Sequence, residues 1–303
     1  MNFEDLLKQQ KSNSSQLGQI LNAAKTEQKG GGFEKDERLW KPRVDKAGNG
    51  FAVVRFLPAP DSDLPWVKYY DHGFRGDGGW FIENCPTTLG KTCPVCEKNS
   101  ALWNSGIESD KDVARSRKRR LHYVSNVLVL KDNNEAANEG KVFLYQFGKK
   151  IFDKLMEAMQ PQFDDETPIN PYNLFSGAAF KIKIRQVGGY WNYDSSEFSN
   201  PEPLFDGDEA ALKKLFEQMH PIQEFVDPEK FQSYENLEKR FNRVMGVADV
   251  QAVTKAAEAG ATEYTPGNTV ETSSTNNVKA TADTEGDEDD DMEYFKNLAA
   301  KYN

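Results

Sequence analysis

FKIKIRQ, residues 180–186, alternates without a break: Phe180, Ile182 and Ile184 against Lys181, Lys183 and Arg185. A β-strand sends successive side chains to opposite faces, so this segment predicts a strand with one apolar face and one cationic face. FAVVRFL (51–57), VSNVLVL (124–130) and VFLYQF (142–147) read as further strands. They are rich in β-branched and aromatic residues and are bounded by Gly, Asn, Asp or Pro. Later in the chain Leu212, Leu215, Phe216 and Met219 fall at helical spacing, as do Leu237, Phe241 and Val244 before a terminating Gly246. Strands first and helices later predict an α+β body over residues 33–246.

The cationic strand face has company. The run DVARSRKRRLHYVSN places Arg115, Arg117, Lys118, Arg119 and Arg120 directly before Tyr123, and Tyr145 lies in a strand followed by Lys149 and Lys150. VGGYWNYD then adds Tyr190, Trp191 and Tyr193. Cations interleaved with aromatics on strands suit single-stranded nucleic acid: the cations track phosphates, and every base offers a π-face for stacking. Duplex recognition would favour a basic helix or loop reaching into a groove. Each feature has a plainer reading, a solvated loop for the basic run and a core for the strand aromatics; together they favour nucleic acid.

The net charge of −10 hides this pattern. From Val247 to the C-terminus there are 12 acidic and 4 basic residues, whereas Lys111–Lys154 has 11 basic and 5 acidic. The charge is segregated, which an average conceals. Residues 247–303 are rich in Ala, Thr, Gly, Asn and Glu, run to the cluster Asp287–Asp291 and close on MEYFKNLAAKYN. Such a composition buries too little apolar surface to offset ordering entropy, so a disordered acidic tail is expected. Residues 1–32 form a polar arm ending in three glycines, with short apolar stripes at Phe3, Leu6 and Leu7 and at Leu17, Ile20 and Leu21.

All three cysteines lie in HGFRGDGGWFIENCPTTLGKTCPVCEKN, residues 72–99, together with one of the three histidines. His72, Cys85, Cys93 and Cys96 offer one imidazole and three thiolates, a closed tetrahedral set for a structural Zn²⁺ with no position left for a catalytic water. The intervening glycines would let the backbone wrap around a small ion. A redox C-x-x-C needs neither Cys85 nor His72, and it usually sits at a helix start in a thioredoxin-like context that this sequence does not present. A zinc deaminase carries Glu two residues after its His, where this chain has Phe74. Buried cysteines without metal are the remaining alternative. An odd cysteine count and the acidic, polar start MNFEDLLKQQ point to a reducing, cytosolic setting. No apolar run approaches the roughly 20 residues that span a bilayer, so no membrane role is expected.

The pieces AGNGFAVVRFLP (47–58), HGF…GWFIENC…CPVC, NVLVLKD (126–132), NEGKVFLYQFGKKIFDKL (138–155), NYDSSEF (192–198) and LFEQM (215–219) occur in the order in which they stand in one family. The chain resembles the single-stranded-DNA-binding, helix-destabilising proteins of T-even-like bacteriophages, over most of residues 40–246. The resemblance implies a zinc-containing core built on a five-stranded OB-fold β-barrel, with an inserted zinc subdomain at about 68–123 and flanking helices. It implies sequence-independent coating of single-stranded DNA in replication, recombination and repair, in the cytoplasm of an infected bacterium. It further implies an N-terminal arm for self-association along the strand, and a tail that meets replication and recombination proteins. Carried over by position, Tyr123, Tyr145 and Tyr193 stand at the family's DNA-contacting tyrosines, Tyr190 at its phenylalanine and Trp103 at another tyrosine. Lys118, Arg119 and Arg120 stand at its internal basic motif and Arg55 at an arginine of its cleft; Lys149, Lys181 and Lys183 complete the expected contacts.

The chain departs from the family where Leu121 and His122 replace hydroxyl residues and Val124 replaces a tryptophan. The arm keeps only Lys8, Lys11, Ser12, Ser14 and Ser15 of a compact basic motif. A zinc-stapled nucleic-acid enzyme or helicase-loading factor is the alternative. It finds no Gly-x-x-x-x-Gly-Lys-Ser/Thr loop and no acidic cluster on a strand.

Overall fold

The computed structural model describes residues 36–163 and 165–247; the expected arm and nearly all of the acidic tail lie outside them. The first strands are β1 (Leu39–Trp40), β2 (Gly50–Phe56), β3 (Val67–Gly76) and β4 (Gly79–Asn84). Helices α1 (Pro94–Asn104) and α2 (Glu108–Ser116) follow, then β5 (Arg120–Asp132), β6 (Val142–Phe147) and α3 (Lys149–Met159). β7 (Ala178–Val187), β8 (Tyr190–Asn192) and β9 (Glu197–Pro201) complete the sheet, and α4 (Glu209–Phe216) and α5 (Tyr234–Val244) end the described chain. From Arg38 onwards the described residues belong to one compact unit. No helix among them is long and apolar enough to cross a membrane.

The alternating strand forms as expected. Phe180, Ile182 and Ile184 are at most 1% exposed, while Lys181 and Lys183 are half-buried and Arg185 is exposed. Each of those three apolar side chains contributes about 1.5–3 kcal/mol by leaving water. They lie against Trp40, Ala52, Val54, Phe56 and Tyr145 in the main core. The sheet runs β1-β6-β5-β2-β7-β8, with β3 pairing β5 and β4, and β9 pairing β7. β5 is long enough to serve two neighbours on one edge: its first half pairs β3 and its second half pairs β2.

Two expectations change. Leu212, Leu215 and Met219 are buried, but α4 ends at Phe216, which is half exposed, so Met219 reaches the core from the turn beyond. The glycine-rich stretch after His72 is a regular β3–β4 hairpin rather than a loose wrap around an ion. Its glycines allow close approach. A Cβ on Gly76 would lie 2.4 Å from the Val244 carbonyl oxygen, and one on Gly78 would lie 2.2 Å from that of Arg243. The hairpin tip thus receives the C-terminal end of α5, and the Gly78 N–H donates to the Val244 carbonyl at 2.8 Å.

That contact enlarges the expected metal subdomain. Leu237, Phe241 and Val244 of α5 share one core with Phe74, Phe81, Val95 and the three cysteines. Tyr234 donates to Glu97 at 2.6 Å and Arg240 pairs with Glu83, so polar contacts rim the same seam. The unit around the cysteines therefore draws on residues more than a hundred positions downstream of 68–123.

Candidate metal centre and nucleic-acid interface

Three elements bring the cysteines and His72 together. His72 comes from β3, Cys85 from the end of β4, and Cys93 and Cys96 from the start of α1. All four are buried and their ligand atoms lie within 4.8 Å of one another. Cys85 Sγ is 3.6 Å from Cys96 Sγ, and His72 Nε2 is 3.5 Å from the sulfurs of both Cys93 and Cys96. A tetrahedral ion with metal–sulfur bonds of about 2.3 Å needs sulfurs separated by about 3.8 Å, so the donors fit a small cation. Cys93 is the N-cap of α1, with Pro94 at its first position. The C-x-x-C stands at a helix start, as redox pairs do, and the helix dipole there favours thiolates. Cys85 and His72 in the same cluster still set it apart from a two-cysteine redox pair.

Protonation follows the crowding. Burial opposes charge on His72, but hydrogen bonding and attraction to Cys85 and Cys93 win and raise its pKa to about 10. Burial pushes Cys85 up too, yet its hydrogen bonds with Cys93, Cys96 and His72 hold it well below the usual thiol range. Contacts with Cys85 and Cys93, together with burial, push Cys96 well above that range. The donors crowd together in an apolar shell, an arrangement in which a bound cation would take the place of the protons.

The cationic face of β7 is the second site. Antiparallel partners share a face. Val187 stands two residues beyond Arg185, and Tyr190 stands opposite Val187, so Tyr190 joins Lys181, Lys183 and Arg185. Gly188 and Gly189 both have positive φ, 61° and 89°, as a two-residue type I′ loop requires. Tyr190 is 62% exposed. Across the sheet Phe51 opposes Lys183 and Val53 opposes Lys181. Val53 in turn opposes Lys131 of β5. Lys41 sits over the Trp191 ring at 4.5 Å. Glu197 pairs with Lys183 at 2.8 Å, so a phosphate that meets Lys183 competes with a carboxylate.

Residues 48–245 match the family described as gp32 DNA binding protein like. The chain belongs to this family. Among its relatives is the single-stranded DNA-binding protein of Enterobacteria phage T2, 42% identical over 239 residues, which cover 76% of this chain and 78% of that protein. The protein of the same name from Enterobacteria phage T4 is 42% identical over 224 residues, covering 72% and 73%. A relative so named from Escherichia phage SV14 is 44% identical over 82 residues, 25% of this chain and 73% of that protein. This is a family of DNA-binding proteins and not of enzymes.

In this gp32-like chain the expected contact residues fall into four groups. Lys181, Lys183 and Tyr190 share the open sheet face just described. Lys118, Arg119 and Arg120 lead into the opposite end of β5 from Lys131, so that strand carries one cationic group at each end. Lys149 opens α3 and pairs with Asp153, and Trp103 lies beside the Lys111 and Arg115 cations of α2.

The fourth group departs from expectation. Arg55 is 1% exposed, and its Nη2 donates to the carbonyls of Asn173 at 2.8 Å and Glu202 at 3.1 Å. In that position it holds two backbone segments and has no surface for a phosphate. Tyr145 is 2% exposed and lies edge-on to Trp40 at 5.2 Å. Tyr123 is 5% exposed, with its ring flat on Phe152 at 3.9 Å, and Tyr193 is 8% exposed. These rings spend their faces on protein. The series from Tyr123 through Phe152 continues to Trp66 and Tyr172, which line a cleft of about 540 Å³.

Sequence reasoning missed several participants. Phe51 and Lys131 join the cationic face only through register, which is a long-range property. His122, noted only as a departure, donates from Nε2 to Asp71 at 3.0 Å while Gln146 donates to its Nδ1 at 2.7 Å. Asp71 also takes two hydrogen bonds from Arg120, at 2.9 and 2.8 Å. Burial raises the Asp71 pKa, but the hydrogen bonds from His122 and Arg120 outweigh it and hold the carboxyl down to about 2. Thr87 could have been noticed as a hydroxyl two residues after Cys85.

Proposed function

We propose that this protein coats single-stranded DNA without regard to sequence, as a replication, recombination and repair factor in the cytoplasm of an infected bacterium. The observation that carries the reading is the open face of β7: Lys181, Lys183 and Arg185 in one row, continued by Tyr190, on a strand whose other face is buried. Cations at strand spacing with an exposed ring beyond them suit a flexible phosphate chain whose bases are free to stack. Relatives named for binding single-stranded DNA along most of the chain support it.

The ion that fits His72, Cys85, Cys93 and Cys96 is Zn²⁺, since three thiolates and one imidazole at tetrahedral spacing suit zinc. It would act as a staple, with no open coordination position. The pairing of β2 with both β5 and β7, of β5 with β6 and of β7 with β9 supports a five-stranded OB-fold barrel as the binding core. Residues 1–32 are assigned to self-association along the strand and 247–303 to partner proteins, on the family resemblance and their composition.

Tyr190 is the ring to test, because it is exposed and its removal leaves the core intact. Tyr190→Ala should weaken binding to a short single strand by about 1–3 kcal/mol, the stacking contribution of one base, with no change in melting temperature. Fluorescence anisotropy with a labelled oligonucleotide measures it. An unchanged affinity would remove this face from the binding site.

A further inference from the structure

The basic run before β5 faces inward more than its charge suggests. The Arg117 carbonyl accepts from His72 Nδ1 at 3.1 Å and from Asn99 Nδ2 at 2.9 Å. That bond requires a proton on Nδ1, so Nε2, which faces the sulfurs, is the nitrogen that an ion would take. Two residues on, Arg119 Nη1 donates to Thr87 Oγ1 at 2.6 Å, and Thr87 Oγ1 lies 3.1 Å from Cys85 Sγ. A guanidinium has only donors, so at this contact the Thr87 oxygen must accept. A metal-bound thiolate carries no hydrogen and can only accept, so the Thr87 hydroxyl donates to it and the chain runs from Arg119 to Thr87 to Cys85.

The surroundings hold this geometry. The Arg119 guanidinium stacks on the Tyr70 ring at 4.0 Å. The Tyr70 carbonyl accepts the Cys85 N–H at 2.8 Å, and the Tyr70 N–H donates to Thr88 Oγ1 at 2.9 Å. The turn that carries Cys85 is therefore bound at both Cys85 and Thr88 to the strand beneath Arg119. A charge-assisted hydrogen bond relayed to a thiolate lowers its basicity and fixes its direction, as second-layer contacts do for metal ligands.

We propose that Arg119, acting through Thr87 on Cys85, is a positioning residue of the metal centre. The proposal rests on the reading of the cysteine cluster as a metal site. It sets Arg119 apart in a basic run that charge alone treats as one patch.

The test uses full-length, metal-loaded protein with Thr87→Val, Thr87→Ser, Arg119→Ala and Lys118→Ala variants. The rate of zinc release to a chromogenic chelator is read alongside the salt dependence of single-strand binding. Thr87→Val and Arg119→Ala should release zinc about 10–100-fold faster, the usual effect of losing a second-layer contact, while Thr87→Ser, which keeps the hydroxyl, stays near wild type. Lys118→Ala should release zinc at the wild-type rate, and Arg119→Ala should leave the log–log salt slope unchanged. Thr87→Val replaces a hydroxyl by a methyl of the same shape, so it reports the relay even if Arg119→Ala folds poorly. A metal-loaded wild type whose Thr87→Val variant holds zinc as tightly overturns this proposal alone. A wild type that binds no metal overturns the metal reading and this proposal with it.

Discussion

Cys93→Ser should cost the protein its metal and open the region built around it. A structural zinc site contributes on the order of 10–16 kcal/mol of apparent binding free energy, comparable to or larger than the roughly 5–15 kcal/mol stability of a whole domain. Without the ion, the thiols of Cys85 and Cys96, the new serine hydroxyl and the His72 imidazole are left buried together with nothing to hold them in place. The loss should reach α5, because Leu237, Phe241 and Val244 pack on the same core as the cysteines. The core of Phe56, Tyr145 and Phe180 forms a separate cluster and should persist. Limited proteolysis should therefore cut Cys93→Ser both between residues 72 and 119 and within 234–244, leaving a sheet fragment. A variant that keeps its zinc and resists protease like wild type would contradict this.

Tyr145→Ala should be a stability variant before it is a binding variant. Its ring fills the centre of the sheet core, against Trp40 at 5.2 Å and Phe147 at 5.4 Å. Truncating an aromatic ring at such a site costs about 3–5 kcal/mol, through lost transfer energy and the cavity left behind. For a body of this size that lowers the melting temperature by roughly 10 °C or more. Tyr145→Phe keeps the ring and should recover most of the loss. Calorimetry with parallel DNA titration separates the outcomes. Weak binding at an unchanged melting temperature would show that the ring meets DNA and not the core.

The contrast between Tyr145 and Tyr190 marks what the sequence makes legible. Alternation along 180–186 predicted a two-faced strand, and the strand has those two faces. The four residues of the candidate metal cluster were readable because cysteine and histidine are rare here and stand close together in the chain. An aromatic on a strand, by contrast, says nothing about which face it occupies until the register is known. Tyr123 and Tyr145 are buried, and Tyr190 is not. Arg55 was expected, from the resemblance, in a DNA-binding cleft and is a buried tie between two carbonyls. The role of α5 was hidden for the same reason: its apolar stripe was visible, but its partner lies more than a hundred residues earlier. Gly76 and Gly78 looked permissive, and what they supply is the absence of a Cβ where α5 arrives.

The most direct test of the account is the affinity of full-length, metal-loaded protein for a single strand and for its duplex across a salt series. The account predicts tight binding to single strands of unrelated sequence and weaker binding to the duplex. Log affinity for the single strand should fall linearly with log salt by about 0.7 per phosphate neutralised, and Lys181→Ala should remove about one such step. Equal or tighter binding to the duplex, or single-strand affinity independent of salt, would contradict it.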